Sequence, residues 1–430
     1  MEITNLYQLF RQHPVVTTDS RNISPNSLFF ALKGDNFNGN KFASEALSKG
    51  AAFAVIDEPE FSTSGQMILV DNVLICLQQL ANYHRRQLNL PILAITGTNG
   101  KTTTKELTAA VLSKKFNIQF TQGNLNNHIG VPLTILSMTT ETEIGIIEMG
   151  ANHPGDIKLL CEIADPDFGI VTNIGKAHLE GFGSYEQIIK TKSEMYDYLR
   201  GKDGKCFINA DNPLLIKQAK EVEQISYGKS TGYFMTGELV TTDYQMIVKA
   251  LFIKGWLYLK SKLMGDYNFE NLLAAACVGK YFEVDPLLIQ EALEEYTPSN
   301  NRSQLIRNEK NTIVMDAYNA NPTSMMMALS NFANIKHEHK CLILGDMLEL
   351  GPTSDVEHQK IVDLIESQTF QDVFLVGPQF KKATTRKGIM KFENAELLSN
   401  YIKTQPIENK LIFVKGSRGI HLEKILELLS

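Results

Sequence analysis

Apolar residues in this chain fall into short continuous runs, separated by longer stretches in which they return every three or four positions. That alternation predicts buried strands connected by amphipathic helices. Near the start, strands are expected at Leu28 to Leu32, Ala52 to Ile56 and Met67 to Val70, with helices around Phe42 to Lys49 and Leu74 to Arg86. At Pro91 the pattern changes, and near-continuous apolar runs follow at Ile92 to Thr96, Ile144 to Glu148, Gly169 to Asn173 and Cys206 to Asn209. Runs of that kind between helices indicate a parallel sheet covered on both faces. The polar stretch PSNNRSQ at 298–304 reads as a linker, after which Thr312 to Asp316, Cys341 to Leu344, Val373 to Val376 and Leu411 to Val414 resume the alternation. A length of 430 residues exceeds one ordinary hydrophobic core. The expectation is three α/β domains, at residues 1–88, 89–297 and 298–430.

Composition narrows the class. Hydrophobic residues are 43% and charged residues 21%, as in soluble globular proteins, and a net charge of -6 argues against a broad nucleic-acid surface. No apolar run approaches a membrane span, and MEITNLYQLF lacks the basic and apolar regions of a signal peptide, so neither nucleic acid nor membrane is an expected partner. The five scattered cysteines form no CxxC pair and read as reduced, buried thiols of a cytoplasmic protein.

The chemistry concentrates in PILAITGTNGKTTTKEL, residues 91–107. A strand, the loop Gly97-Thr98-Asn99-Gly100 and a helical pattern follow in order, as in a phosphate-binding loop, but Ile95 stands where the first glycine of G-x-x-x-x-G-K-[ST] belongs. Backbone N–H groups at the helix start would face an anion. Lys101 would reach β- and γ-phosphates, and the hydroxyl of Thr102 or Thr103 would join Mg²⁺. Glu148 ends the next apolar strand, where ligands bind in open α/β sheets, and is a candidate Mg²⁺ ligand. His178 lies in the glycine-rich VTNIGKAHLEGFGS on the same edge. Lys192 sits on the amphipathic SYEQIIKTKSEMYDYL, and Asn268 either caps a helix or serves the site.

Together the TGTNGKTT loop, Glu148, "NI…AHLEGFGS", the lysine before SEMY and N-x-x-N-x-L-A-A resemble the Mur ligases, three-domain ATP-dependent amide-forming enzymes of peptidoglycan precursor synthesis. The resemblance implies a central P-loop ATPase domain and a C-terminal Rossmann-like domain that binds a dipeptide. It also implies an N-terminal domain, carried by TTDSRNISPNSLFFALKGDNFNGNKF, that binds the UDP-muramoyl substrate through Ser20, Arg21 and Lys33. GNLNNHIGVPLTIL is similar to a muropeptide-contacting loop, with Asn126 and Asn127. DAYNANPTSM, LGDMLELG and VKGSRG resemble the members that add D-alanyl-D-alanine to UDP-N-acetylmuramoyl-tripeptide, with Tyr318, Asn319 and Asn321 as substrate contacts. By the same resemblance Asn268 meets adenine and Arg302 and Asp316 reach the nucleotide. Two Mg²⁺ sites would involve Thr102, Glu148, His178 and a carbamylated Lys192, and the protein would act as a monomer. Asn38 and Asn40 depart from the family's usual Asp and His.

Two other readings stay open. The sibling that adds the third amino acid typically carries DNPR, whereas the only DNP here, at Asp211, precedes Leu214. A P-loop protein that binds nucleotide without turnover would release no phosphate when both substrates are supplied.

Overall fold

The structure, a computed structural model, describes residues 1–241, 246–298, 301–386 and 388–429. Residues 299 and 300 of the expected linker lie outside the described residues. Three α/β units, each built on one main sheet, follow one another along the chain, and the first also carries the two-stranded pair Lys33–Gly34 and Phe37–Asn38.

The first has four parallel strands, in the order Val16–Thr17, Leu28–Phe30, Phe53–Ile56 and Met67–Leu69. Helix Val73–Leu88 then leads into the second. Asn72 caps its start by accepting the Ile75 N–H at 2.9 Å, and the left-handed Asn89 ends it. Leu77, Leu80 and Ala81 on its buried face share one core with Ile92, Ala94 and Ile147 of the central sheet. Arg85 ties the same helix to Asp167 at 2.7 Å.

The central sheet has nine strands. Seven run parallel, in the spatial order Ile118–Phe120, Ile144–Glu148, Ile92–Thr96, Phe168–Val171, Lys205–Asn209, Glu223–Gly228 and Met235–Thr241. Met246–Phe252 and Gly255–Ser261 add an antiparallel edge. Ile95 lies inside its strand, paired with Glu148 on one side and Ile170 on the other, and is fully buried. A side chain in the sheet core therefore occupies the position of the usual first loop glycine. The strand expected to reach Asn173 ends at Val171, which frees Thr172 and Asn173 to turn towards the loop.

The third sheet orders Gln304–Arg307, Thr312–Asp316, Leu411–Lys415, Lys340–Gly345, Asp372–Val376 and Ile389–Phe392. Only its first pair is antiparallel. Thr312–Asp316 and Lys340–Gly345 are separated by the last strand of the chain, which makes a topological switch point with Asp316 and Lys415 at its carboxyl ends. Among the described residues no helix is long and apolar enough to cross a membrane.

Candidate functional site

Two glycines in the loop leave no room for a side chain. Gly97 has φ +140, and a Cβ there would lie 2.0 Å from Thr172 Oγ1; Gly100 has φ +80, and a Cβ would lie 2.4 Å from Asn271 Oδ1. Neighbouring chain locks the loop. Thr98 Oγ1 donates to Gly175 O (3.1 Å) and accepts the Gly175 N–H (2.9 Å), Asn99 N–H donates to Asn173 Oδ1 (3.0 Å), and Thr172 Oγ1 donates to Asn99 O (2.6 Å). Helix Lys101–Leu112 begins with no side-chain cap, so its first-turn N–H groups are presented to an anion. Lys101 Nζ folds back on Gly97 O (2.8 Å) and Thr98 O (3.2 Å). Burial pushes its pKa down, against the attraction of Glu148.

Glu148 is 1% exposed at its strand end. Its Oε1 accepts from Thr102 Oγ1 (3.1 Å) and Asn126 Nδ2 (2.8 Å), while Oε2 is buried without a hydrogen-bond partner. Lys105 Nζ, one helical turn beyond Lys101, stands 3.9 Å from Oε2 and donates to Thr121 O at 2.7 Å. Burial lowers the Lys105 pKa, opposed by Glu148 and Glu106. A buried carboxylate oxygen that accepts no hydrogen bond, on the residue bonded to the Thr102 hydroxyl, fits Mg²⁺, which binds one or two carboxylates together with substrate phosphates and water. No group of three His, Cys, Asp or Glu able to hold a metal occurs among the described residues.

The third sheet closes the site. Thr98 to Thr103, Asn126, Asn127, Glu148, His178, Asn268, Arg302, Asp316, Tyr318, Asn319 and Asn321 all line one cavity of about 700 Å³. Asn321 Nδ2 donates to Asn99 Oδ1 at 2.7 Å, directly onto the loop, while its Oδ1 accepts the Ser324 N–H in a capping box that starts helix Pro322–Asn334. Arg302 lies over the Tyr318 ring, 3.7 Å from its centroid, and its buried Nε has no hydrogen-bond partner among the described residues. Lys415 Nζ donates to Asp316 Oδ2 at 2.6 Å, and the Ser303 N–H to Asp316 Oδ1 at 3.2 Å. Asn268 is buried; its Nδ2 donates to Met264 O at 2.7 Å and its Oδ1 accepts from Asn271 Nδ2 at 2.9 Å. It is the first residue of helix Asn268–Tyr281, and Tyr267, not Asn268, takes the cap position.

His178 has a left-handed backbone, φ +50, and its Nδ1 pairs with Glu349 of the third sheet's unit. Lys192 is buried on helix Tyr185–Gly201, 6.0 Å from the centroid of the Phe182 ring, and is not among the residues that line the cavity. Burial, with Lys101 adding to it, holds its pKa well below the ordinary lysine value. Ser20, Arg21 and Lys33 lie outside this cavity: Ser20 O accepts from Lys49, Arg21 pairs with Asp19 at 2.9 Å, and Lys33 with Asp57 at 3.0 Å. Asn38 and Asn40 bond Glu58 and Asp57 of the same unit.

Sequence reasoning did not single out Lys105, Thr172, Asn173, Asn271 or Glu349, and it marked VKGSRG without pairing Lys415 with Asp316. Two carried a signal. Lys105 is four residues after Lys101, and Asn271 three after Asn268, so each shares a helix face with a residue already singled out.

Known proteins share this three-sheet architecture. Residues 95–279 match the Mur ligase middle domain, 301–418 the Mur ligase glutamate ligase domain and 14–85 the catalytic domain of the Mur ligase family. A UDP-N-acetylmuramoyl-tripeptide–D-alanyl-D-alanine ligase of Bacillus subtilis (strain 168) is 34% identical over 426 residues, covering 96% of this chain and 92% of that protein. The protein of the same name from Escherichia coli (strain K12) is 32% identical over 423 residues, covering 96% and 93%. Among solved structures, MurF from Acinetobacter baumannii superposes with a TM-score of 0.86 at 28% identity, covering 98% of this chain and 97% of that one. MurF ligase from Thermotoga maritima in complex with ADP gives 0.86 at 26% identity, covering 97% of each. Likeness of this extent through all three sheets, on top of a loop whose first glycine is replaced by a strand residue, establishes that the chain belongs to the Mur ligase family.

Proposed function

We infer that this protein is an ATP-dependent ligase that joins D-alanyl-D-alanine to UDP-N-acetylmuramoyl-tripeptide, a step of peptidoglycan precursor synthesis. The observation that carries the reading is the convergence of a phosphate-binding loop and the strand ends of a second sheet on one cavity. The choice of substrates follows the proteins it is similar to.

The terminal carboxylate of the tripeptide attacks the γ-phosphorus of ATP; the bond to the β–γ bridging oxygen breaks and ADP leaves. An acyl phosphate results. The amine of D-alanyl-D-alanine then attacks the acyl carbon, loses a proton and expels phosphate. The first step brings two anions together, so charge neutralisation is the main requirement. Lys101 would exchange the carbonyls of Gly97 and Thr98 for phosphate oxygens. The loop Gly97-Thr98-Asn99-Gly100 would wrap the phosphates, with the N–H groups of Gly100 to Thr103 facing them. Thr102, Glu148 and His178 would hold Mg²⁺, which when bound supplies positive charge to the phosphate oxygens. Asn268 would meet adenine, and Arg302 and Asp316 the nucleotide from the third domain. Asn126 and Asn127 would contact the muropeptide, Tyr318, Asn319 and Asn321 the dipeptide side, and Ser20, Arg21 and Lys33 the UDP group.

Lys192 is proposed to be carbamylated and to stand beside a second Mg²⁺. Its depressed pKa supports this, because only a neutral amine adds to CO₂, forming an N–C bond and releasing a proton. The domains are proposed to run from 1–88, 89–297 and 298–430, in a monomer acting in the cytoplasm. An ADP-release assay with UDP-N-acetylmuramoyl-tripeptide tests the function across free amino acids and dipeptides. D-alanyl-D-alanine should be preferred by far; preference for a free diamino acid, with a muramoyl-dipeptide acceptor, would move the chain to the sibling activity.

A further inference from the structure

His178 and Glu349 face each other from different sheets' units, and both have left-handed backbones, at φ +50 and +62. Such backbones in non-glycine residues persist where surrounding structure over-determines them. Around Glu349 that structure is visible. Asp346, fully buried, accepts the N–H groups of Gln379 and Phe380, each at 2.8 Å. The next two N–H groups are also held: Met347 donates to His358 Nε2 and Leu348 to Ser417 Oγ, each at 3.0 Å. On the other side, Gly351 packs against Glu180, two residues from His178. The loop is thus anchored on both sides of Glu349, which projects its carboxylate across the boundary onto His178 Nδ1. Both side chains line the cavity.

We propose that Glu349 is a positioning residue that fixes the ring of His178 from the third domain. This rests on the ligase reading above. An imidazole whose Nδ1–H donates to a carboxylate keeps its Nε2 lone pair free and its ring plane fixed. His178 acquires that tautomer only while the third domain is docked, so docking and the competence of the site become one event. The same contact biases the domain towards its seated position while the acyl phosphate exists. When the domain is not seated, water takes the place of the amine at the acyl carbon, and phosphate is released with the tripeptide carboxylate regenerated. The Glu349 side chain is 57% exposed, and pairs this open contribute little to stability, so its variants are expected to fold.

The test uses the full chain with Glu349→Ala and Glu349→Gln. One readout needs no turnover: long-range ¹⁵N–¹H correlation of the histidine rings, recorded across a pH series so that the neutral form is read from the spectra themselves, with His178→Gln to assign the signal. Wild type should show the Nδ1–H tautomer at His178, Glu349→Ala a shift towards Nε2–H, and Glu349→Gln, which keeps an acceptor oxygen, the wild-type form. The second readout is phosphate released per amide formed. Glu349→Ala should raise this ratio at least about twofold and lower kcat by about 10–100-fold, the usual effect of losing such an orienting partner, with KM for ATP nearly unchanged. Glu349→Gln should recover most of both. An unchanged tautomer in Glu349→Ala, or a ratio of one with near wild-type kcat, would overturn the proposal. If wild type makes no amide from these substrates, the function reading fails, and the tautomer experiment still decides the role of Glu349.

Discussion

Gly97→Ala tests whether the loop geometry described above is what makes the site. The new methyl would lie 2.0 Å from Thr172 Oγ1 and 3.0 and 3.1 Å from the backbone nitrogens of Thr172 and Asn173. A φ of +140 is itself hostile to any side chain and costs roughly 1–3 kcal/mol. Overpacking against backbone adds about 1–3 kcal/mol. If Thr172 swings away, its hydroxyl gives up bonds to Asn99 O at 2.6 Å and Thr96 O at 3.3 Å, each contributing about 1 kcal/mol. The sum, roughly 4–8 kcal/mol, is a large part of the stability of a typical domain. In a unit of this size it corresponds to a fall in Tm of at least about 8 °C, unless the loop relaxes and spoils the anion cradle instead. Thermal denaturation and ATP titration on the same variant separate these outcomes. The expected result is one or both of a lowered Tm and at least tenfold weaker ATP binding. Adding Thr172→Ala should recover part of the loss. A Tm within about 1 °C of wild type, with ATP affinity within about threefold, would refute the close approach as the basis of the loop.

Lys101→Ala should lower kcat by more than about 100-fold, since each 1.36 kcal/mol of lost phosphate stabilisation is about tenfold; steady-state ADP release measures it. Asn321→Ala removes both the bridge to Asn99 and a helix cap; it should cost about 1 kcal/mol in denaturant melts and raise KM for ATP several-fold. Lys192→Ala should lose most of kcat and regain part of it with acetate, and ¹³C-bicarbonate NMR should show a carbamate on wild type; no resonance and near-normal activity of the variant would leave Lys192 a plain buried amine. Burial pushes Cys76 up to about 11 and Cys206 up to about 12 from the ordinary 9.0. Native chains therefore keep protons that unfolded chains release, so this contribution is complete below about pH 9 and declines as pH rises through the folded values, by up to about 1.4 kcal/mol per unit for each thiol. The stability gap between wild type and Cys206→Ala, followed by denaturant melts from neutral to strongly alkaline pH, should be constant and then shrink.

The central strands were legible because each is apolar on both faces. Ile92–Thr96 and Ile144–Glu148 match their expected bounds, and both are buried throughout. The antiparallel edge was not foreseen. Met246–Phe252 buries only alternate residues, and a two-residue rhythm next to polar turns is a weaker signal than a continuous apolar run. Within the site, Lys101, Thr102 and Glu148 were legible because strand, loop and helix put them in known places. Glu349 was not. Its partner His178 is 171 residues away, and nothing local in LGDMLELG shows which glutamate crosses to another sheet. Lys192 lay between the two: its helix was legible, but its burial comes from tertiary packing that no local pattern shows.

The central claim is that the cavity forms an acyl phosphate from the tripeptide and passes it to a dipeptide amine. UDP-N-acetylmuramoyl-tripeptide carrying ¹⁸O in both oxygens of its terminal carboxylate tests this in one turnover. With ATP and D-alanyl-D-alanine, one labelled oxygen should appear in the released phosphate and the other should stay in the new amide. Unlabelled phosphate accompanying amide formation, or phosphate release with no amide at all, would contradict the account.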